Sequence, residues 1–526
     1  MKAIKKTLSC ILIFILLFSL TSCSEVSSKA YIRVAMGEMP TTFDPQMTYK
    51  EEELMVVRNC FEGLFRATGG KIENAICKSY EISSDGLTYT FNLRNDAKWS
   101  DGSDVTAADF EFALLRCLYS ETLTPDCEQL FTIKNAEKYY LGKTEKENVG
   151  IKATDKYTLV ITLNTKDAEL IQKLSYSFAM PCKEEFFLST KGRYCMDRKS
   201  SLFNGPFDMY GWDTDSSTVT LSKNADYVGD YACLCSYVTI SYDTEHLQRI
   251  QNVNDSVYDV ALIDCADCNS AENANLNSVG VKNKSWNIFF NPNLDNAISD
   301  SKVSLALKQA LQSVNYESGL PTGFELSESI MPDDIVIEQK AFAEYNNQQT
   351  SSTYSLQTAK DTFITALQKY SSTFPDAALL YVENDEMKKL ATSIVSVWQT
   401  HLGAYINVKG VSQSEMYSLM SSGDYQMALC PVYDTDCSAS AFINQFHSKN
   451  ENNIYSIKDS TLDKYIDSID YSSPHKTVVR VAKALNSNDR IIPVAQSKVY
   501  YAAAKKVTGL NADMYQGHID LFKLNK

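Results

Sequence analysis

The sequence predicts an α/β fold of two or three lobes. Three observations carry this: a length beyond one hydrophobic core, a strand-helix alternation over residues 377–430, and hairpin patterning over residues 71–199. The chain has 526 residues, 44% apolar and 11% aromatic, a globular composition. Its formal charge of -15 argues against nucleic acid as a partner and favours basic ligands.

At the N-terminus Lys2, Lys5 and Lys6 precede eight consecutive apolar residues, Ile11 to Phe18. This is the layout of a secretory signal over residues 1–22, and it is too short to span a bilayer. Leu20, Thr21, Ser22 and Cys23 resemble a bacterial lipobox, which makes Cys23 the expected lipid anchor and residues 23–30 a solvated tether. Removing residues 1–22 takes away three lysines and no acid, carrying the formal charge from -15 to -18.

From residue 78 the chain reads as strands and a helix. Tyr89, Phe91 and Leu93 alternate with polar residues after a Ser84-Asp85-Gly86 turn, a hairpin signature. Tyr157, Leu159, Ile161 and Leu163 repeat the pattern after Asp155 and Lys156. Between them Thr106 and Asp109 make a capping-box start, followed by Phe110, Ala113, Leu114, Cys117 and Leu118 on one helical face. Residues 71–199 therefore read as an α+β lobe.

The alternation over 377–430 has a different grammar. Ala378–Val382 is an apolar strand, and Asp385–Leu402 a helix with Met387, Leu390, Ala391, Ile394 and Trp398 on its buried stripe, ended by Gly403. Tyr405–Val408, Ser414–Met420 and Tyr425–Cys430 complete β-α-β-α-β, a parallel unit whose ligands collect beyond the strand carboxyl ends. The last strand runs into Pro431, Val432, Tyr433, Asp434, Thr435 and Asp436, the first place to expect a ligand. Tyr258–Cys268 echoes this strand and acidic loop, so two similar lobes are expected to face each other across a cleft.

Beyond Cys10 and Cys23 there are twelve cysteines. Outside the cytoplasm an even set suggests disulfides; disulfides or free buried thiols are expected ahead of a zinc site at Cys233, Cys235, Cys265 and Cys268, since an all-cysteine zinc site usually has two C-x-x-C halves. The expectation is no metal and no cofactor.

Several stretches match a family. "RVAMGEMPTTFDPQ" (Arg33–Gln46), "FEGLFR" (Phe61–Arg66), "SDGLTYTFNLRNDAKWSDGSDVTAADFEFAL" (Ser84–Leu114), "ATDKYTLVITL" (Ala153–Leu163), "NGPFDM" (Asn204–Met209) and "SGDYQMAL" (Ser422–Leu429) closely resemble the extracellular solute-binding proteins of family 5, the oligopeptide- and dipeptide-binding lipoproteins of ABC importers. The resemblance implies a three-lobed Venus-flytrap fold of the periplasmic-binding-protein type. Lobe I would take 31–70, 200–288 and 495–526, lobe II 71–199 and lobe III 289–494. It also implies a monomeric receptor, lipid-anchored at the outer face of the cytoplasmic membrane, that gives a peptide to ABC permease subunits.

In such relatives the peptide pairs by its backbone with protein segments. Here these would be Ala35–Met39, with Gly37, Glu38 and Met39 as contacts, and Pro431–Asp436. An aspartate after the lobe III strand often holds the ligand amine there. This chain places Thr435 at that position, flanked by Asp434 and Asp436. A second departure is Ser304, where relatives usually carry arginine.

Weighed singly, Trp99 to Gly102 suit a tight turn better than a ligand cluster. Glu38 and Asp44 either meet ligand or face solvent, and Tyr433 either stacks on ligand or packs at the hinge. The histidines, His246, His401, His447, His475 and His518, are scattered without a catalytic motif, so an enzyme is not expected. The alternatives are a receptor for a non-peptide solute, a peptide sensor and, as a minor one, a tethered hydrolase.

Overall fold

Two long antiparallel strands, Asn277–Phe290 and Ile491–Ala503, run through the middle of one mixed sheet and connect its two halves. The computed structural model describes residues 30–526 apart from 69–70, 126, 213–216, 264–269, 272–273, 339, 347–353, 434–438, 451–452, 471 and 513–516. The expected signal, Cys23 and most of the tether lie outside the described residues, as do Cys265, Cys268, Asp434, Thr435 and Asp436. Among the described residues no helix is long and apolar enough to cross a membrane.

From one edge the sheet runs Ile406–Val411, Ala377–Val382, Met427–Tyr433, the two long strands, Val260–Ile263, Tyr31–Met36, Tyr237–Tyr242, Thr218–Lys223 and Phe207–Gly211. In the C-terminal half, Ile288, Phe290, Leu379, Met427, Leu429 and Ile492 face one core while Phe289, Leu380, Ala428, Cys430, Val432 and Ile491 face another. Both faces are covered, which explains why these strands are apolar almost throughout rather than alternating. Asp385–Leu402 packs on the first face, with Trp398 fully buried and its indole N–H donating to the Leu307 carbonyl at 2.8 Å. Gly403 ends that helix in the left-handed conformation, φ +70°. The expected parallel β-α-β-α-β unit is present, with Ala377–Val382 flanked in parallel by Ile406–Val411 and Met427–Tyr433.

Residues 77–162 build a separate four-stranded antiparallel sheet: Cys77–Ile82, Thr88–Leu93, Thr158–Thr162 and Ile151–Asp155 in spatial order. Both expected hairpin turns form, and Gly86 at φ +73° supplies the first. The helix Ala107–Cys117 begins at Thr106, whose backbone N–H donates to Asp109 Oδ2 at 2.8 Å. The same oxygen accepts from the Trp99 indole at 3.2 Å, so the Trp99–Gly102 turn seats a buried ring and launches a helix, the structural reading. Asp109→Ala removes both bonds and is expected to cost about 1–2 kcal/mol. The check is a lower urea midpoint at unchanged m-value.

One continuous core joins this sheet to the N-terminal half of the large one. Among the described residues, Cys60, Cys77, Cys117, Cys182, Cys195, Cys233, Cys235 and Cys430 are free thiols, all buried. Of the two expected readings, disulfides and free buried thiols, these eight take the second. They behave as small apolar side chains, and burial pushes Cys182 up to about 12, far from the reactive thiolate.

Candidate functional site

Strand directions locate the site. Tyr31–Met36 runs parallel to Val260–Ile263, which lies antiparallel to Ile491–Ala503 with Val260 opposite Ala503 and Ile263 opposite Tyr500. Both strands therefore exit toward the middle of the long pair. From the other half, Met427 lies opposite Phe290 and Tyr433 opposite Lys284, so this strand also exits toward the middle. The carboxyl ends of the parallel strands in the two halves thus converge on one point, near Lys282–Lys284, where the ladder breaks register. Ligands of open α/β sheets bind beyond such ends.

The structure places the predicted residues as follows. Gly37, Glu38 and Met39 leave the first strand at this point, and Glu38 and Met39 are exposed. Ala35 is paired on both flanks, with Ser241 and with Ala261, and the Met36 carbonyl accepts from Asp243 N–H at 2.9 Å. The segment beyond the sheet is thus Gly37–Met39, shorter than the expected Ala35–Met39. A Cβ on Gly37 would sit 3.0 Å from Glu52 Oε1 and 3.2 Å from Arg249 Nη1, so the groups that approach it are protein side chains. Glu38 receives Lys50 Nζ at 3.3 Å, and its N–H donates to Glu52 Oε1 at 3.1 Å. Tyr433 ends its strand on the Lys284 pairing.

Asp44 is neither ligand contact nor solvated. It is 2% exposed and holds Arg116 of the helix Ala107–Cys117. The buried pair needs its partner, since an isolated carboxylate there would be strongly disfavoured.

Other residues at this point were not singled out from the sequence. Helix Glu51–Cys60 starts with three acids, a run that reads as helix-dipole stabilisation. Each in fact has a separate partner. Glu53 accepts from the Thr41 N–H at 2.8 Å and hydroxyl at 2.7 Å, Glu52 holds the Glu38 N–H, and Glu51 Oε1 accepts from the Tyr501 hydroxyl at 2.8 Å. Burial pushes Glu51 up to about 7; Lys284 opposes the rise and Glu52 adds to it. A carboxyl group poised near neutrality beside the strand ends is the kind of group that marks a ligand site. A cavity of about 570 Å³ lined by Lys134, Lys138, Lys143 and Lys152 lies on the small sheet, not at this convergence.

Among the described residues the two halves also touch away from this point. Val336 packs on Ala67 and Ile72, the Ser440 hydroxyl meets Glu169 at 2.6 Å, and Asn444 Nδ2 meets Glu128 at 3.5 Å.

Comparison with known proteins agrees with this architecture. The chain is 31% identical over 204 residues to the oligopeptide-binding protein OppA of Bacillus subtilis, covering 39% of this chain and 37% of that protein. The aligned stretch thus spans little more than a third of that relative's length. The solved structure of Haemophilus influenzae OppA in complex with the peptide RPPGFSPFR superposes with a TM-score of 0.79 at 20% identity, covering 95% of this chain and 99% of that one. Listeria monocytogenes OppA bound to peptide gives 0.78 at 20% identity, with 95% and 99% covered. These likenesses place the fold in the periplasmic-binding-protein class. The sequence profile of the bacterial extracellular solute-binding proteins, family 5, matches residues 71–453, most of the chain, and the protein belongs to that family.

Proposed function

We propose that this protein is a substrate-binding receptor that captures oligopeptides between its two halves and delivers them to an ABC-type permease. The observation that carries the reading is the convergence of strand ends from both halves on the middle of the long pair. A guest held there touches both halves and so favours the shut arrangement, whereas one touching a single half shifts nothing. An extended peptide suits the place because every residue offers the same N–H and C=O groups, which gives affinity without a fixed sequence.

In this reading Gly37, Glu38, Met39, Tyr433, Asp434, Thr435 and Asp436 are the residues that contact the peptide. Either Asp434 or Asp436 takes the amine in place of Thr435, or neither does and the ligand is not a peptide with a free N-terminus. Lobe I comprises 31–70, 200–288 and 495–526, lobe II 71–199 and lobe III 289–494. Cys23 carries the lipid that moors a monomeric receptor to the outer face of the cytoplasmic membrane, and no catalysis is involved.

Native mass spectrometry of the purified protein lacking residues 1–23 is expected to show a co-purifying set of short peptides. One defined non-peptide mass instead would displace the peptide reading. Cys23→Ala is expected to move the expressed protein from the membrane fraction to the medium, and continued membrane retention would remove the anchor.

A further inference from the structure

We propose that Glu169 and Ser440 are the positioning pair that holds the two halves shut, and that the shut state carries a proton which opening releases. The inference rests on the closure reading above. Glu169 precedes the short helix Leu170–Lys173, and Ser440 lies 271 residues away in the helix Ala439–Asn444 of the other half. Glu169 is 2% exposed; its Oε2 accepts from the Ser440 hydroxyl at 2.6 Å, while Oε1 is buried with no hydrogen-bond partner among the described residues. A buried carboxylate with a bare oxygen is costly as an anion and tolerable as an acid.

The charges around it support the neutral form. From its own side it faces Asp167 and Lys173, but Asp167 already accepts from Lys173 Nζ at 2.8 Å, Thr132 Oγ1 at 2.7 Å and the Glu169 N–H at 2.9 Å. From the other half it faces Glu338 and Tyr345. Glu338 bonds His475 Nδ1 at 2.8 Å, and His475 stacks on Tyr345 with centroids 5.0 Å apart. Burial is the main cause that lifts Glu169 above its ordinary 4.5, with Lys173 and Ser440 opposing and Asp167 and Glu338 adding.

Opening separates Ser440 and Glu338 from Glu169 and lets water return, restoring ordinary carboxylate behaviour. Shutting therefore takes up a proton. The sign follows: the shut state is favoured at low pH and weakens as pH rises from 4.5 through the raised value. One linked proton gives a slope of at most about tenfold in the closing equilibrium per pH unit.

The test follows radius of gyration by small-angle scattering, and peptide affinity, between pH 5 and 8. The wild type is expected to expand and to lose affinity by up to about tenfold per unit as pH rises. Glu169→Gln, isosteric and never ionised, is expected to stay compact with a flat profile. Ser440→Ala is expected to be more open at every pH while keeping the slope. A flat wild-type profile, or the same slope in Glu169→Gln, overturns the proposal. A scattering slope without peptide binding keeps the latch and removes the peptide reading, and peptide binding with flat scattering does the reverse.

Discussion

Arg116→Leu is expected to lower folding stability by about 3–5 kcal/mol, the usual loss when one partner of a buried ion pair is removed and the other charge stays behind. Arg116 Nη1 donates to Asp44 Oδ1 at 2.8 Å and to Gln46 Oε1 at 2.7 Å, and Nη2 bonds the second carboxylate oxygen. Its guanidinium also lies 4.4 Å from the Phe187 ring centroid. Gln46 in turn donates through Nε2 to the Phe178 and Met180 carbonyls, each at 3.0 Å. One side chain thus ties the loop that follows Gly37–Met39 to the second sheet's helix and to the segment beyond it. Asp44→Leu should cost a similar amount, because it strands the guanidinium. The double variant Asp44→Leu with Arg116→Leu should cost clearly less than the two singles summed, since no unpaired charge remains. Urea unfolding of the four proteins checks this. A single-variant loss below about 1 kcal/mol, the level of an exposed pair, would show that the contact is solvated.

What the sequence disclosed was local. The helix Asp385–Leu402 is bounded as expected because both its ends are written in adjacent residues: Asn384 Oδ1 accepts the Met387 N–H at 2.8 Å, and Gly403 supplies the turn. The hairpin turns and the Thr106–Asp109 box are local in the same way. The strand expected over Tyr425–Cys430 instead occupies Met427–Tyr433 and passes through Pro431. Proline reads as a strand end, but beyond Leu429 this strand is paired on one flank only, where proline is tolerated. The extra length matters, since it brings Tyr433 to the convergence point. What stayed hidden depends on distant partners. Asp44 and Arg116 are 72 residues apart, Glu169 and Ser440 271, and Glu51 and Tyr501 450. A run such as Glu51-Glu52-Glu53 shows a helix start; it cannot show that three acids serve three different neighbours. The segment Ala35–Met39 came from the family resemblance rather than from a local signal, and Glu51 beside it carried no signal at all.

Glu51→Gln is expected to stabilise the protein at pH 8 by about 2–3 kcal/mol and to change little at pH 4. The wild-type carboxyl titrates near 7 when folded against 4.5 as its ordinary value, so the folded state binds this proton more tightly than the unfolded one. Below 4.5 both states are protonated and the group contributes no penalty. As pH rises from 4.5 to 7 the unfolded chain ionises freely while the folded chain resists, and stability falls across that window. Above it the full cost remains, on the order of 3 kcal/mol at most. Glutamine still accepts from the Tyr501 hydroxyl but forfeits attraction to Lys284, which is why the expected gain is below that ceiling. Unfolding free energies of both proteins from pH 4 to 8 give the test as a difference curve, rising through the window and level above it. A curve that stays flat would mean that Glu51 is hydrated in the folded state. A rising curve means that the fold holds a destabilising acid beside its strand ends, a cost that core packing alone does not require.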